Sequence, residues 1–335
     1  MADDFERAKT KPFDTMKTGA SHSKTILVTG ASTGIGLALA RMLRESDHRV
    51  MITARTSSMK RFEEAGIRES QNFLIRALDV TNGRQRDEVL EEIEKRWGGV
   101  DILVNNAGVS YRAVQEHLTD GDEFDQFDVN YFAPMRLIRR VLPHMRQQHF
   151  GRIINVSSVG GMMAMPTMSV YSASKFALEG ASEGLWYELR PWNISVSLVQ
   201  PGFINSNGFE KVRVPEEGQF AQREVDAAYH AHYEHMSNFI SRYMRKARAT
   251  PESVARKIVK TIERKRPPLR VPATIDARIF SFLRRILPRR VYHRLLYWSL
   301  PKVRHWGKEP GVENPKPTRA EMSESRLLHK AQGIS

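Results

Sequence analysis

From residue 24 onward the chain alternates two kinds of segment, and this alternation limits what it can fold into more than any other feature. The runs KTILVTG, RVMITA, NFLIRALDV, VDILVNNAG, GRIINVSS and ISVSLVQPG are short, apolar and rich in β-branched residues. Between them lie stretches with helical spacing, such as GIGLALARMLRES, QRDEVLEEIEKRW and APMRLIRRVLPHMRQQ. A strand that is apolar at nearly every position is buried on both faces, which happens when helices cover both sides of a sheet. Strands separated by helices are joined by crossovers, so neighbours run parallel. The alternation therefore predicts an α/β fold, a doubly wound parallel sheet in a single domain over 24–272. Ligands of such sheets bind outside the carboxyl ends of the strands.

Residues 203–250 leave the pattern: they are polar, aromatic and helical in spacing, as expected of a lid over a substrate site. TPESVARKIVKTIERK then opens with Thr250 as N-cap, Pro251 at the first helical position and Ser253 beyond. PPLRVPAT has the length of a last short strand. The leader, 1–23, carries acids where a signal peptide carries bases, and no apolar run follows, so a loose segment is expected. Residues 273–308 read as a basic amphipathic helical extension, and 309–335 as a polar, disordered tail.

Charge divides the chain. Residues 1–255 hold 32 basic and 32 acidic side chains, whereas 256–335 hold 20 and 6, so the whole net charge of +14 sits in the last quarter. A neutral body with a basic end suits an anionic surface. In TIDARIFSFLRRILPRR, Ile275, Ile279, Phe282, Leu283 and Ile286 share a face, with Arg278, Arg284 and Arg285 largely opposite. No stretch approaches the ~20 uncharged apolar residues of a spanning helix. The extension therefore either lies on an anionic membrane surface or packs on the protein or a partner subunit. Nucleic acid is not expected, because the bases sit on no recognised binding fold. The absence of cysteine excludes disulfides and thiolate chemistry and fits a reducing, cytoplasmic setting, peripheral to a membrane if the extension docks there.

Two motifs carry chemistry. In VTGASTGIG, Gly30, Gly34 and Gly36 follow the first strand and open the first helix, where backbone amides and the helix dipole favour an anion. In SVYSASKFALEG, Tyr171 and Lys175 stand one helical turn apart and so share a face. An ammonium fixed beside a phenol favours the phenolate, which makes tyrosine usable as a base.

TGASTGIG, NNAG at 105–108, YSASK at 171–175 and PG at 201–202 together resemble the classical short-chain dehydrogenase/reductases, over roughly 24–202, with a C-terminal extension. The resemblance implies a Rossmann-type fold and hydride transfer between a nicotinamide dinucleotide and a carbonyl or alcohol. It implies that Tyr171 is the general acid/base, Lys175 its partner and a ligand of the nicotinamide ribose, Ser158 the holder of the substrate oxygen, and Asn130 a link to a proton-relay water. Ser157 would then be packing. It further implies that Gly30, Ser32, Thr33, Gly34, Ile35 and Gly36 hold the phosphates, and that Asp79 and Val80 bind adenine. Asn105, Asn106, Ala107 and Gly108 would support the central strand and flank the ribose. Pro201, Gly202 and Ile204 would cover the nicotinamide, with Ser206 where threonine is usual. No metal is required. A homodimer or homotetramer would form through helices near 123–148 and 169–190.

Arg55, followed by Thr56, Ser57 and Ser58 and by Lys60 and Arg61, ends the second strand where an acid would favour NAD. A guanidinium with hydroxyls suits a 2′-phosphate, so NADP(H) is expected, although Thr33 stands where many NADP-dependent members carry arginine. Met162, Met163, Met165 and Met168 either line an apolar substrate pocket or fill core. His230, His232, Glu234 and His235 do not converge and read as a solvated helix. The expected activity is reduction or oxidation at a bulky hydrophobic ketone, aldehyde or alcohol. The alternatives are a small polar carbonyl as substrate, or an idle dinucleotide-binding protein in which the extension matters more.

Overall fold

The computed structural model describes residues 23–206 and 212–307. The leader up to residue 22, part of the expected lid at 207–211 and the expected tail from 309 lie outside the described residues. Seven strands form one sheet: β1 (Thr25–Val28), β2 (Arg49–Ala54), β3 (Phe73–Ala77), β4 (Ile102–Asn105), β5 (Gly151–Val156), β6 (Ile194–Gln200) and β7 (Arg270–Pro272). Their order is β3-β2-β1-β4-β5-β6-β7, and every adjacent pair is parallel. This is the doubly wound, Rossmann-type arrangement, with the direction of winding reversing between β1 and β4. PPLRVPAT supplies the edge strand β7, as its length predicts.

Alternate side chains of each strand feed two cores. Ile26, Val28 and Ile52 belong to one, with Leu39 and Leu43 of α1 (Gly34–Arg44) and Phe62 of the short α2 (Lys60–Glu64). Val254, Ile258 and Ile262 of α9 (Pro251–Glu263) complete it. Leu27, Met51 and Leu103 point the other way, onto α3 (Gly83–Trp97) and α5 (Ala133–Gln147). Each fully buried Leu or Ile contributes about 1.5–3 kcal/mol through removal from water, so the apolar strand sequence and the double cover imply each other. α9 starts on the expected residues: the Thr250 side chain accepts from the Ser253 amide, and Ser253 returns a bond, with Pro251 at the first position.

The helix expected near 123–148 is interrupted. It consists of α4 (Asp120–Phe127), a π-helical turn at Asp128–Phe132, and α5. The Tyr171 helix, α6 (Ser169–Leu189), is continuous. Beyond β6, α7 (Glu216–Arg223) and α8 (His230–Lys246) occupy the stretch expected to be a lid.

The extension forms two helices, α10 (Ile275–Ile286) and α11 (Arg289–Ser299). α10 packs through another face than the sequence suggests. Ala277, Phe280, Leu283 and Leu287, with Tyr292 and Leu296 of α11, cover Val159, Met162 and Met163. Ile275, Ile279, Phe282 and Ile286 are 52–66% exposed. Apolar residues occupy more than half of the turn, so one stripe docks while another faces outward, and Leu283 belongs to the docked one. Among the described residues no helix is long and apolar enough to cross a membrane.

Candidate active site

The carboxyl ends of β1 and β4 meet at the winding reversal, and the glycine loop fills the space between them. Gly30 has φ +66, and a Cβ there would come within 2.6 Å of the Ala107 Cα, so only glycine fits. Gly36 is packed against the Gly30 carbonyl and the Asn106 amide in the same way. Gly34, with φ +54, faces open space at the start of α1. Ser32 is buried, Ile35 is half-buried, and Thr33 at the N-cap makes no side-chain cap bond. The first turn of α1 contains no acid. Uncapped amides beside an open glycine make a cradle that fits a pyrophosphate.

Asn106 locks this cradle: its Nδ2 donates to the carbonyls of Thr29 (3.0 Å) and Gly30 (2.9 Å). The Ala107 amide donates to Thr29 Oγ1 at 3.1 Å. Asn105 lies inside the sheet and donates to Asn155 Oδ1 at 2.8 Å, while Asn155 donates to Ser182 Oγ of α6 at 2.9 Å. Thus Asn105 supports the central strands and Asn106 shapes the loop. At the end of β2, Arg55 is exposed, and it forms no ion pair among the described residues. Ser58 is buried and accepts from Arg61 at 3.3 Å. Asp79 is half-buried, with one carboxylate oxygen taken by the Thr81 amide and hydroxyl at 3.0 and 2.7 Å, and Val80 beside it is buried.

Ser158, Tyr171 and Lys175 are brought together by β5 and α6. Ser158 follows β5 and accepts the Gly160 amide at 3.0 Å. Its side chain also hydrogen-bonds Tyr171. Lys175 Nζ donates to the Val156 carbonyl at 3.0 Å and lies 6.0 Å from the Tyr171 ring centre. Asn130 sits in the π turn, fully buried. Its Oδ1 accepts from the Val109 amide (2.9 Å), and its Nδ2 donates to the Val109 carbonyl (3.0 Å) and to Ser174 Oγ (3.1 Å). Gly108 is exposed, and a Cβ there would lie 3.3 Å from Asn130 Oδ1 and 3.8 Å from Lys175 Nζ. Those two buried polar atoms therefore flank one point beside the Gly108 backbone.

Burial dominates the electrostatics. It pushes the Tyr171 phenol up, with the Ser158 hydroxyl opposing. It lowers the Lys175 ammonium from 10.5 to about 8, against the pull of Glu179. Glu179, one turn further along α6, is itself raised by burial, although Gln200, Ser157 and the charge of Arg270 hold it down. Its Oε1 accepts from Ser157 Oγ at 2.8 Å and Gln200 Nε2 at 2.7 Å. Glu179 is not among the residues expected from the sequence, and Ser157, expected as packing, is its partner. The signal is present, since Glu179 continues the Tyr171–Lys175 stripe at the same spacing of four.

Pro201, Gly202, Ile204 and Ser206 follow β6. Pro201 is buried and its carbonyl accepts from Val159 at 2.7 Å. The Gly202 amide donates to Thr274 Oγ1 (2.9 Å) and the Phe203 amide to Asp276 (2.8 Å), so the first turn of α10 fixes this segment. Ile204 is buried and Ser206 half-buried. Ser158 and Tyr171 open onto a cavity of about 210 Å³. Its other walls include Met163, Met165, Met168, Phe203, Ile240 and Met244, with Ser110 and Arg112 as polar members. Three of the four methionines in question thus line the cavity, while Met162 packs under α10. His232 stacks near Trp306 at 4.6 Å and His230 pairs with the Ala221 carbonyl at 3.0 Å, so the histidines of α8 are engaged separately.

The profile of the short chain dehydrogenases matches residues 24–217. A 3-ketodihydrosphingosine reductase of Bacteroides thetaiotaomicron is 39% identical over 191 residues, covering 57% of this chain and 68% of the relative. Retinol dehydrogenase 8 of Homo sapiens is 33% identical over 295 residues, covering 83% and 92%. The solved structure of a short-chain dehydrogenase from Streptomyces avermitilis superposes with a TM-score of 0.68 at 31% identity, covering 84% of this chain and 97% of that one. The glycine cradle, the Ser158–Tyr171–Lys175 cluster and these matches have one meaning: the chain belongs to the short-chain dehydrogenases and is an NAD(P)-dependent oxidoreductase.

Proposed function

We propose that the protein interconverts a carbonyl and an alcohol on a bulky hydrophobic substrate, with NADP(H) as its dinucleotide. The observation that carries this is the meeting of Ser158 and Tyr171 in a cavity walled by methionines and Phe203. Flexible, polarisable thioethers adapt to irregular apolar ligands. The bound nicotinamide would supply or take up the hydride and, when oxidised, bring positive charge near the phenol. Gly30–Gly36 would hold its phosphates, and Pro201, Gly202 and Ile204 would cover its ring. Arg55 with Ser57 would grip a 2′-phosphate.

Tyr171 would donate its proton to the carbonyl oxygen in reduction and accept one from the hydroxyl in oxidation. Ser158 would hold that oxygen, its hydroxyl already placed on Tyr171. Burial disfavours the Tyr171 anion and the Lys175 cation separately, and each would relieve the other when both are charged. The replacement proton would arrive past Gly108, beside which the buried Asn130 Oδ1 and Lys175 Nζ lie. Exposed Phe124, Phe132 and Tyr187, on α4, the π turn and α6, would form the subunit contact of a homodimer or homotetramer. Phe282 and Ile286 on the outward face of α10, among arginines, would rest on an anionic membrane surface.

A small polar carbonyl draws support from the modest cavity volume, about 210 Å³, below the ~300–1,000 Å³ of drug-sized sites. The bulky substrate would extend beneath α8 when the lid opens. NADPH oxidation against a panel of long-chain, aromatic and small polar ketones decides between them. Turnover is expected for the first two groups and its loss in Tyr171→Phe. Equal rates for wild type and Tyr171→Phe would remove the proton role, and a preference for small polar ketones would remove the hydrophobic substrate.

A further inference from the structure

A second and larger cavity, of about 1040 Å³, lies on the other side of the lid helix from Ser158 and Tyr171. α8 presents Ile240 and Met244, four residues apart, to the reaction cavity, and Phe239 and Tyr243, with the same spacing, to this groove. Neither the glycine loop nor Ser158 nor Tyr171 lines it. Among the described residues Phe203 alone borders both spaces. The groove is therefore separate from the dinucleotide cradle and from the reaction cavity.

Its chemistry is two-sided. Phe203, Phe239 and Tyr243 form an aromatic floor, with ring centres 4.4–6.5 Å apart. Ile275 and Ile279 of α10 stand opposite, 66% and 52% exposed. Around this floor stand five cations, Arg242, Lys246, Arg248, Arg278 and Lys302. Two carboxylates share the lining, and both have neighbours: Asp276 accepts the Phe203 amide at 2.8 Å, and Glu234 lies 3.6 Å from His235. None of the five cations forms an ion pair among the described residues. A concave apolar space with a few convergent charges is the usual form of a small-molecule site. Five cations exceed what one carboxylate would need, whereas a phosphate offers several oxygens to guanidinium forks and ammonium groups.

We propose that the groove between α8 and α10 binds an amphiphile with one long apolar chain and a phosphate head, the chain on the aromatic floor and the head among the five cations. The site stands independently of the reaction proposed for Tyr171. An occupant would touch the outer face of the lid helix and, through Phe203, the wall of the reaction cavity.

The test uses the full-length chain and monomeric dodecyl phosphate, with dodecyl maltoside and inorganic phosphate as comparators, read by calorimetry and amide hydrogen exchange. Dodecyl phosphate should bind at least about tenfold more tightly than either comparator, because each supplies only half of the chemistry. Exchange should slow in 235–248 and 273–279 and not in the glycine loop. Arg242→Glu with Lys246→Glu, and separately Arg278→Glu on the opposite wall, should each weaken binding about tenfold or more. These side chains stand at the groove surface and outside the core, so the variants should fold. Equal affinity for the maltoside, or protection absent from α8, would overturn the proposal. So would binding to anionic vesicles without binding to the monomeric amphiphile, which would make the surface a membrane contact. A change of oligomeric state in the charge-reversed variants would make the groove an interface between copies and would also overturn it.

Discussion

Replacing Lys175 by methionine should abolish turnover and yet stabilise the fold at neutral pH. The ammonium is 6% exposed, and burial lowers it from 10.5 to about 8. A tenfold change in proton affinity on folding is worth about 1.4 kcal/mol, so the wild type carries a deficit of about 3 kcal/mol whenever the lysine is charged in both states. Methionine has similar length and no charge, so the substitution removes that deficit. It also removes the 3.0 Å bond from Nζ to the Val156 carbonyl, at a cost of about 1–2 kcal/mol for an acceptor left unpaired. The net gain at pH 7 is about 1–2 kcal/mol. The sign with pH follows from the lowering. A lysine lowered on folding is fully unfavourable below pH 8, and the deficit shrinks as pH rises from about 8 to 10.5, where the unfolded chain also loses its proton. Urea unfolding from pH 6 to 10.5 should therefore show wild type gaining on Lys175→Met and overtaking it near the upper end. A variant less stable than wild type by a constant amount at every pH would refute the reasoning, because the ammonium would then be well compensated where it lies.

Gly36→Ala would drive a methyl into the Gly30 carbonyl and to within 2.6 Å of Asn106 Nδ2, so NADPH binding followed by fluorescence should fall at least about tenfold while circular dichroism keeps its shape. Tyr233→Phe removes a fully buried hydroxyl that accepts the Val114 amide at 3.1 Å and pairs with His117 at 3.0 Å. It should cost about 1–3 kcal/mol in urea unfolding. Arg55→Asp should weaken NADPH at least about tenfold and NADH little in the same titration, since only NADPH carries the phosphate; equal losses would deny Arg55 the 2′-phosphate. Phe282→Glu with Ile286→Glu alters side chains 61% and 54% exposed, so folding should persist while co-sedimentation with anionic liposomes is lost. Wild-type binding should weaken with salt.

The sheet was legible because its strands are apolar at consecutive positions, a pattern that little else explains. The glycine loop and the Tyr171–Lys175 pair were legible because their spacing is local. The π turn was marked only indirectly: Asp128–Phe132 holds no glycine or proline, but Pro134 has no N–H to give the Asn130 carbonyl, and the pairing of Asn130 with Val109, 21 residues away, is shown by no local spacing. Glu179 was legible only as the next position of the Tyr171–Lys175 stripe; its pairing was not, since its partners Ser157 and Gln200 come from the ends of two strands adjacent only in the folded sheet. On α10 the sequence showed that an apolar face exists, but several faces qualify. Which one docks depends on Val159, Met162 and Met163, which come from a loop more than a hundred residues earlier.

β7 runs parallel to β6, so the chain leaves the sheet at the same end as the glycine cradle, and α10 begins there. Its inner stripe rests on Met163, which also walls the reaction cavity. Anything that grips the outer stripe is thus separated from the reaction cavity by the α10 helix, about 10 Å across, and by the Met163 side chain. On a flat surface this would abolish a rotational search: the molecule could land in any orientation, but once held by α10 it would face the surface with the end that carries its chemistry.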